Sequence, residues 1–148
     1  MLTIHIATAA GLVGVSMVIL ALGIAGLGEP PETVYPAMYT VARFALVPLA
    51  VAALATGLLQ VLVTGYGLRR HWWATAKLVI TVVLAAVAVF VVVPGLGRAA
   101  EAATTPSASV TGAQQLTSVV TPAIALGLFL LTVGLGVFKP GRRRRSPA

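Results

Sequence analysis

Few side chains in this sequence can carry chemistry, and their types exclude more than they suggest. There is no aspartate and no cysteine; the only acids are Glu29, Glu32 and Glu101, and the two histidines are His5 and His71. Without thiols there is no disulfide, thiolate metal site or cysteine nucleophile. Neither His5 nor Ser16 has a carboxylate nearby in sequence to complete a nucleophilic triad. No glycine-rich loop follows a strand and opens a helix to cradle a phosphate. A proton-coupled exporter would carry a carboxylate inside an apolar run, and none is present. The residues therefore assign no catalytic group, metal set or cofactor, and the chain is read as not an enzyme. Haem is the minor alternative. His5 and His71 could act as axial ligands of a b-type haem, with Arg69 or Arg70 meeting its propionates, although a histidine set among arginines and tryptophans in a tight turn is more usually solvated.

What remains is a small group of polar residues inside otherwise apolar runs, where an ionisable side chain is a functional hypothesis by default. Arg43 can reach lipid headgroups, Tyr39 one turn earlier, or an acid such as Glu32. The simpler reading of Arg43, Tyr39 and Glu32 is an anchor or structural ion pair; the sharper one is a cation that binds a small anion or a partner. Gln60 should point toward another helix, because an amide facing lipid would lack partners. Thr56, Gln60 and Thr64 share one helical face, and Lys77, Thr81 and Ala85 form a matching one. The cluster of Gln60, Lys77, Thr56 and Thr81 is read as adhesion between helices, worth about 0.6 to 2 kcal/mol per hydrogen bond, with a small polar site as the alternative. His5 is read as an interfacial, structural histidine.

The elements that position these residues follow from composition. Of 148 residues, 59% are hydrophobic and 9% charged, too few charges to cover a soluble fold. Four runs are long and apolar enough to be spanning helices: about 2–27, 37–64, 73–93 and 115–138. Gly28-Glu29-Pro30-Pro31-Glu32 ends the first, and Pro94-Gly95 is expected to end the third, with at most a short surface helix over 98–103. The first run is too long for a signal-peptide core and lacks a basic start, so it is read as a span. The valine-rich third run is read as helix, because a lone strand in hydrocarbon leaves its backbone unpaired. Pro48 and Pro122 are expected to kink their helices. Small residues four apart, including Ala7/Gly11, Ala10/Gly14, Ala53/Gly57 and Thr81/Ala85, favour close packing.

The net charge of +7 would suit nucleic acid, but the basic residues sit beside the apolar runs. Arg69, Arg70, Lys139 and Arg142 to Arg145 all fall on one side of four spans. The positive-inside rule puts that side, and both termini, in the cytoplasm. The stretch Gly67-Leu68-Arg69-Arg70-His71-Trp72-Trp73 then reads as a turn at the membrane surface, with Arg69, Arg70, Trp72 and Trp73 as lipid-headgroup anchors. The basic tail, 139–148, faces anionic lipid at about 1 kcal/mol per basic residue; no nucleic-acid partner is expected.

The run Val41-Ala42-Arg43-Phe44-Ala45-Leu46-Val47-Pro48 through Ala55-Thr56-Gly57-Leu58, followed by Gly67 to Trp73 and Lys77-Leu78-Val79, resembles an uncharacterised family of small bacterial four-helix integral membrane proteins. The likeness covers roughly 37–93. It implies a four-helix membrane fold and no activity. The Ala, Val, Gly and Arg bias fits a high-GC bacterium. The expectation is an all-α transmembrane four-helix bundle, N-in/C-in, as one domain over 1–138 in a bacterial plasma (inner) membrane. It would be a non-catalytic structural or accessory subunit, with a membrane-protein partner or a homo-oligomer. A carrier or binder of a small, possibly anionic molecule through Arg43 is the alternative.

Overall fold

A computed structural model describes residues 2–63, 72–105 and 109–138. Thr64, Arg69, Arg70, His71 and the tail over 139–148 lie outside the described residues, as do the side chains of Trp72 and Trp73. The structure is all-helical, with no strand among the described residues: α1 Leu2–Ala25, α2 Pro31–Val41, α3 Val47–Val63, α4 Trp72–Val87, α5 Val93–Thr104 and α6 Gly112–Phe138. The π-helical turns Ala42–Leu46 and Ala88–Val92 join α2 to α3 and α4 to α5, so the six segments form four continuous rods. All four contain a stretch long and apolar enough to cross a membrane: Thr3–Ala25, Pro31–Gln60, Thr75–Thr104 and Gly112–Gly134.

Three of the helix boundaries have a local reason. α1 unwinds through Gly26 and Gly28, where backbone bonds such as Leu27 N–H to the Ile24 carbonyl, 3.1 Å, tighten the last turn before Pro30 stops it. Pro31 then opens α2 at a position whose missing N–H costs nothing, with Glu32 in the positive first turn of the helix dipole. α6 starts with a capping box: Thr111 N–H donates to Gln114 Oε1 at 2.8 Å, and Gln114 N–H donates to Thr111 Oγ1 at 3.3 Å.

Three helix boundaries differ from the sequence reading. The second rod begins at Pro31 rather than near Ala37, the last begins at Gly112 rather than near Gln115, and the third runs through Pro94-Gly95 to Thr104. The cause of the last lies in the π-turn. A proline ring clashes with the carbonyl four residues back. Widening the preceding turn by one residue relieves that clash, and Val93 N–H bonds the Ala88 carbonyl instead. Pro48 has the same device: Val47 N–H bonds the Ala42 carbonyl. Both sites carry one local pattern, Ala42-Arg43-Phe44-Ala45-Leu46-Val47-Pro48 and Ala88-Val89-Phe90-Val91-Val92-Val93-Pro94. In each the first alanine is buried and the phenylalanine exposed, and the two π-turns touch.

The rods pack antiparallel in a ring. α1 lies against α3 and α6, α2 against α5, α3 against α4, and α6 closes the bundle against α4. The core holds Leu12, Ile19, Tyr35, Met38, Ala42, Leu46, Ala50, Ala53 and Leu96. Large apolar residues cover the outside as well, among them Leu62, Val83, Ile124 and Leu131, the pattern of a helix bundle bathed in lipid.

Small residues set the closest approaches, but not all those their spacing suggested. Gly11 packs under Leu49 and Gly57 under His5, whereas Gly14 has open space where a side chain would stand. The tightest contact is Gly23 of α1 against the Ser118 carbonyl of α6; a Cβ there would sit 2.5 Å from the oxygen. Pro122 has no N–H to donate to that carbonyl, so the Gly23 Cα–H faces an oxygen deprived of its usual helical donor.

Candidate functional site

The structure sorts the polar residues into three places. The first is the outer flank of the second rod. Arg43 Nη1 donates to the Tyr39 hydroxyl at 2.9 Å, and the guanidinium carbon lies 6.0 Å from the Tyr39 ring centroid and 5.7 Å from that of Phe44. The i,i+4 spacing on a helix makes the Tyr39 contact possible. Gly97 of α5 leaves room for the Tyr39 ring, whose edge would lie 3.3 Å from a Cβ there. Glu32 is exposed, and no carboxylate pairs with Arg43 among the described residues.

Two contacts with α1 fix the depth of Arg43 in the bundle. Because the rod starts at Pro31, Arg43 lies about 18 Å along it at 1.5 Å per residue. Leu49 packs on Gly11 and Val34 on Gly26, which sets Arg43 level with Met17, about 12 Å from the Ala25 end of α1 at 1.5 Å per residue. It is thus an exposed cation about two turns in from that end of the bundle.

The second place is the end of the bundle where α1 begins. Thr56 Oγ1 donates to the Ala52 carbonyl at 2.7 Å and stands 3.1 Å from His5 Nδ1. With the hydroxyl proton spent on the backbone, His5 Nδ1 is the donor in that pair. His5 reaches Thr56 because Gly57 has no side chain: its Cβ would lie 3.0 Å from His5 Cε1. The Thr56 partner is therefore a residue on α1. Thr81 Oγ1 donates to the Lys77 carbonyl of its own helix at 2.9 Å, while Gln60 and Lys77 are half-buried.

The third place was not foreseen. A cavity of about 300 Å³ lies between α1, α3, α4 and α6, lined by Leu12, Leu46, Ala50, Val92, Leu128 and Phe129 among others. Three hydroxyl residues, Ser16, Thr81 and Thr121, also line it. Nothing in their spacing announces this, because they come from three different helices. Arg43 is not among the lining residues.

Among the described residues, no three His, Cys, Asp or Glu side chains gather where a metal ion could sit. The anchors Arg69 and Arg70 and the second histidine, His71, fall outside the described residues. Comparison with protein-family models, curated proteins and solved structures found no match for this chain.

Proposed function

We propose that the chain is a small non-catalytic subunit of the bacterial plasma membrane, acting by lateral contact with another membrane protein through the Arg43 flank. One observation carries this reading. Arg43 is exposed about two turns in from the end of the bundle, and its hydrogen-bond partner among the described residues is a single tyrosine hydroxyl. A guanidinium has five N–H donors. Exposing one to hydrocarbon costs up to about 2.5–3.5 kcal/mol, the value at the centre of a spanning helix. The Tyr39 hydroxyl and the two aromatic faces offset only part of that cost. Acceptors from outside the chain complete the arrangement: a carboxylate or backbone carbonyl of a partner helix. Phe44 and Phe90, 72% and 77% exposed, add aromatic surface to the same membrane-facing level, a composition enriched at protein contacts. The positive-inside rule, applied to Arg69, Arg70 and the basic tail, supports cytoplasmic termini.

A carrier of a small anion is less well supported. It would place Arg43 inside a polar cavity, whereas Arg43 faces outward and the cavity between the helices is apolar. Purification in mild detergent followed by mass spectrometry tests the proposal. The wild-type chain should bring a membrane protein, or a second copy, with it, and Arg43→Leu should release it. Wild type and variant both running as lone chains would overturn the reading.

A further inference from the structure

We propose that the cavity between α1, α3, α4 and α6 is a binding site for an apolar, membrane-dissolved molecule bearing a hydroxyl or carbonyl oxygen. Its polar end would meet Ser16 and Thr121. The site is separate from the Arg43 flank, and the proposal does not depend on the contact role given to that flank.

The hydroxyls of the helices supply the first observation. Inside a helix, a serine or threonine usually donates to the carbonyl three or four residues earlier. Thr8, Thr40, Thr81, Thr117, Ser118 and Thr132 all do so here, at 2.7 to 3.0 Å. Ser16 and Thr121 depart from this pattern: neither makes a hydrogen bond among the described residues, and both line the cavity. Ser16 is 3% exposed, so its hydroxyl is withdrawn from lipid headgroups and bulk water. A buried hydroxyl left unpaired is costly; Thr121 is half-buried, and the two stand on different helices around one space.

The cavity's shape and chemistry supply the second. Most of its wall is aliphatic or aromatic, with a few placed hydroxyls, the usual make-up of a small-molecule site. Its volume, about 300 Å³, is twice the roughly 150 Å³ that holds a benzene-sized guest. Two lining residues, Val83 on α4 and Ile124 on α6, are 54% and 58% exposed. They mark a rim between those helices that opens sideways. In a bundle bathed in lipid, a sideways opening admits molecules from the bilayer rather than from water. A hydrocarbon chain or ring enters there, and its oxygen satisfies Ser16, Thr121 or both.

The test uses the full chain in phospholipid nanodiscs and a photoreactive, diazirine-bearing dodecanol as probe, with cross-links mapped by peptide mass spectrometry. Labelling should saturate and concentrate on the segments containing Leu12 to Ile19 and Thr121 to Phe129. Ser16→Ala, which removes the hydroxyl without adding bulk, should weaken saturable labelling by up to about tenfold, the effect of one lost hydrogen bond. Ala125→Phe, which fills the space, should abolish it. Circular dichroism melting checks that each variant is folded, and if Ala125→Phe does not fold, Ser16→Ala decides. Labelling that rises without saturation, spreads evenly over exposed faces such as that of Phe90, or is unchanged in the folded variants would overturn the proposal.

Discussion

The carbonyl oxygen of Ser118 lies so close to Gly23 that a Cβ on that glycine would stand 2.5 Å from it. The obstacle is backbone, which cannot rotate aside as a flexible side chain can. This contact fixes how near α6 can come to α1, and so how the ring of helices closes.

Gly23→Ala should therefore destabilise the bundle by about 1–3 kcal/mol, the cost of overpacking, even though alanine is the better helix former. Gly14→Ala is the control, since nothing stands within 4 Å of a Cβ there; it should be neutral or stabilise by up to about 1 kcal/mol. Thermal or denaturant unfolding in detergent micelles measures both. Equal effects would show that the two helices do not meet at Gly23.

The pairing of His5 with Thr56 makes a second prediction. Thr56→Val should cost about 0.6 to 2 kcal/mol. Gly57→Ala should have a similar effect through displacement of the His5 ring, whose Cε1 lies 3.0 Å from the new Cβ position. Because both changes disrupt one contact, the double variant should lose less than the sum of the singles. Full additivity in an unfolding assay would separate them.

Tyr35 is 1% exposed, and its hydroxyl has no hydrogen-bond partner among the described residues. Removing an unpaired buried hydroxyl while keeping the ring avoids its desolvation cost. Tyr35→Phe should leave stability unchanged or raise it by about 1 kcal/mol. A clear loss of stability would mean that the hydroxyl is bonded to something outside the described residues.

The π-turns are tested by deletion. Removing Ala45 takes out the extra residue of the Ala42–Leu46 turn, so the helix beyond it keeps its face and the protein should still fold. Removing Ala52 from regular helix rotates everything beyond by about 100°, breaking the His5–Thr56 pair and the Gly57 contact, and should abolish folding. Yield of monodisperse protein and its circular dichroism distinguish the two. Equal tolerance would argue against the widened turn.

The number of membrane-length helices was legible because long apolar runs leave little choice of element. So was the proximity of Arg43 and Tyr39, a matter of helical periodicity. Other features were not. The continuation through Pro94 depends on the turn before it, and the repeated Ala-x-Phe-x-x-Val-Pro pattern became meaningful only when both copies were seen to widen a helix. His5 and Thr56 are 51 residues apart, and the cavity draws its hydroxyls from three helices; neither leaves a local sequence signature. The start of α6 could have been read from Thr111-x-x-Gln114, a capping box within an otherwise unremarkable polar stretch. The start of α2 is hidden because Pro30-Pro31 reads as a stop, although Pro31 also begins a helix.

The two π-turns have a mechanical corollary. Each precedes a proline that forfeits a backbone hydrogen bond, and they touch at one height. The neighbouring rods are thus weakest at a shared level, like two columns jointed at the same course. Bending one at that level would displace its neighbour, moving α2 with α5 and α3 with α4 about a common waist.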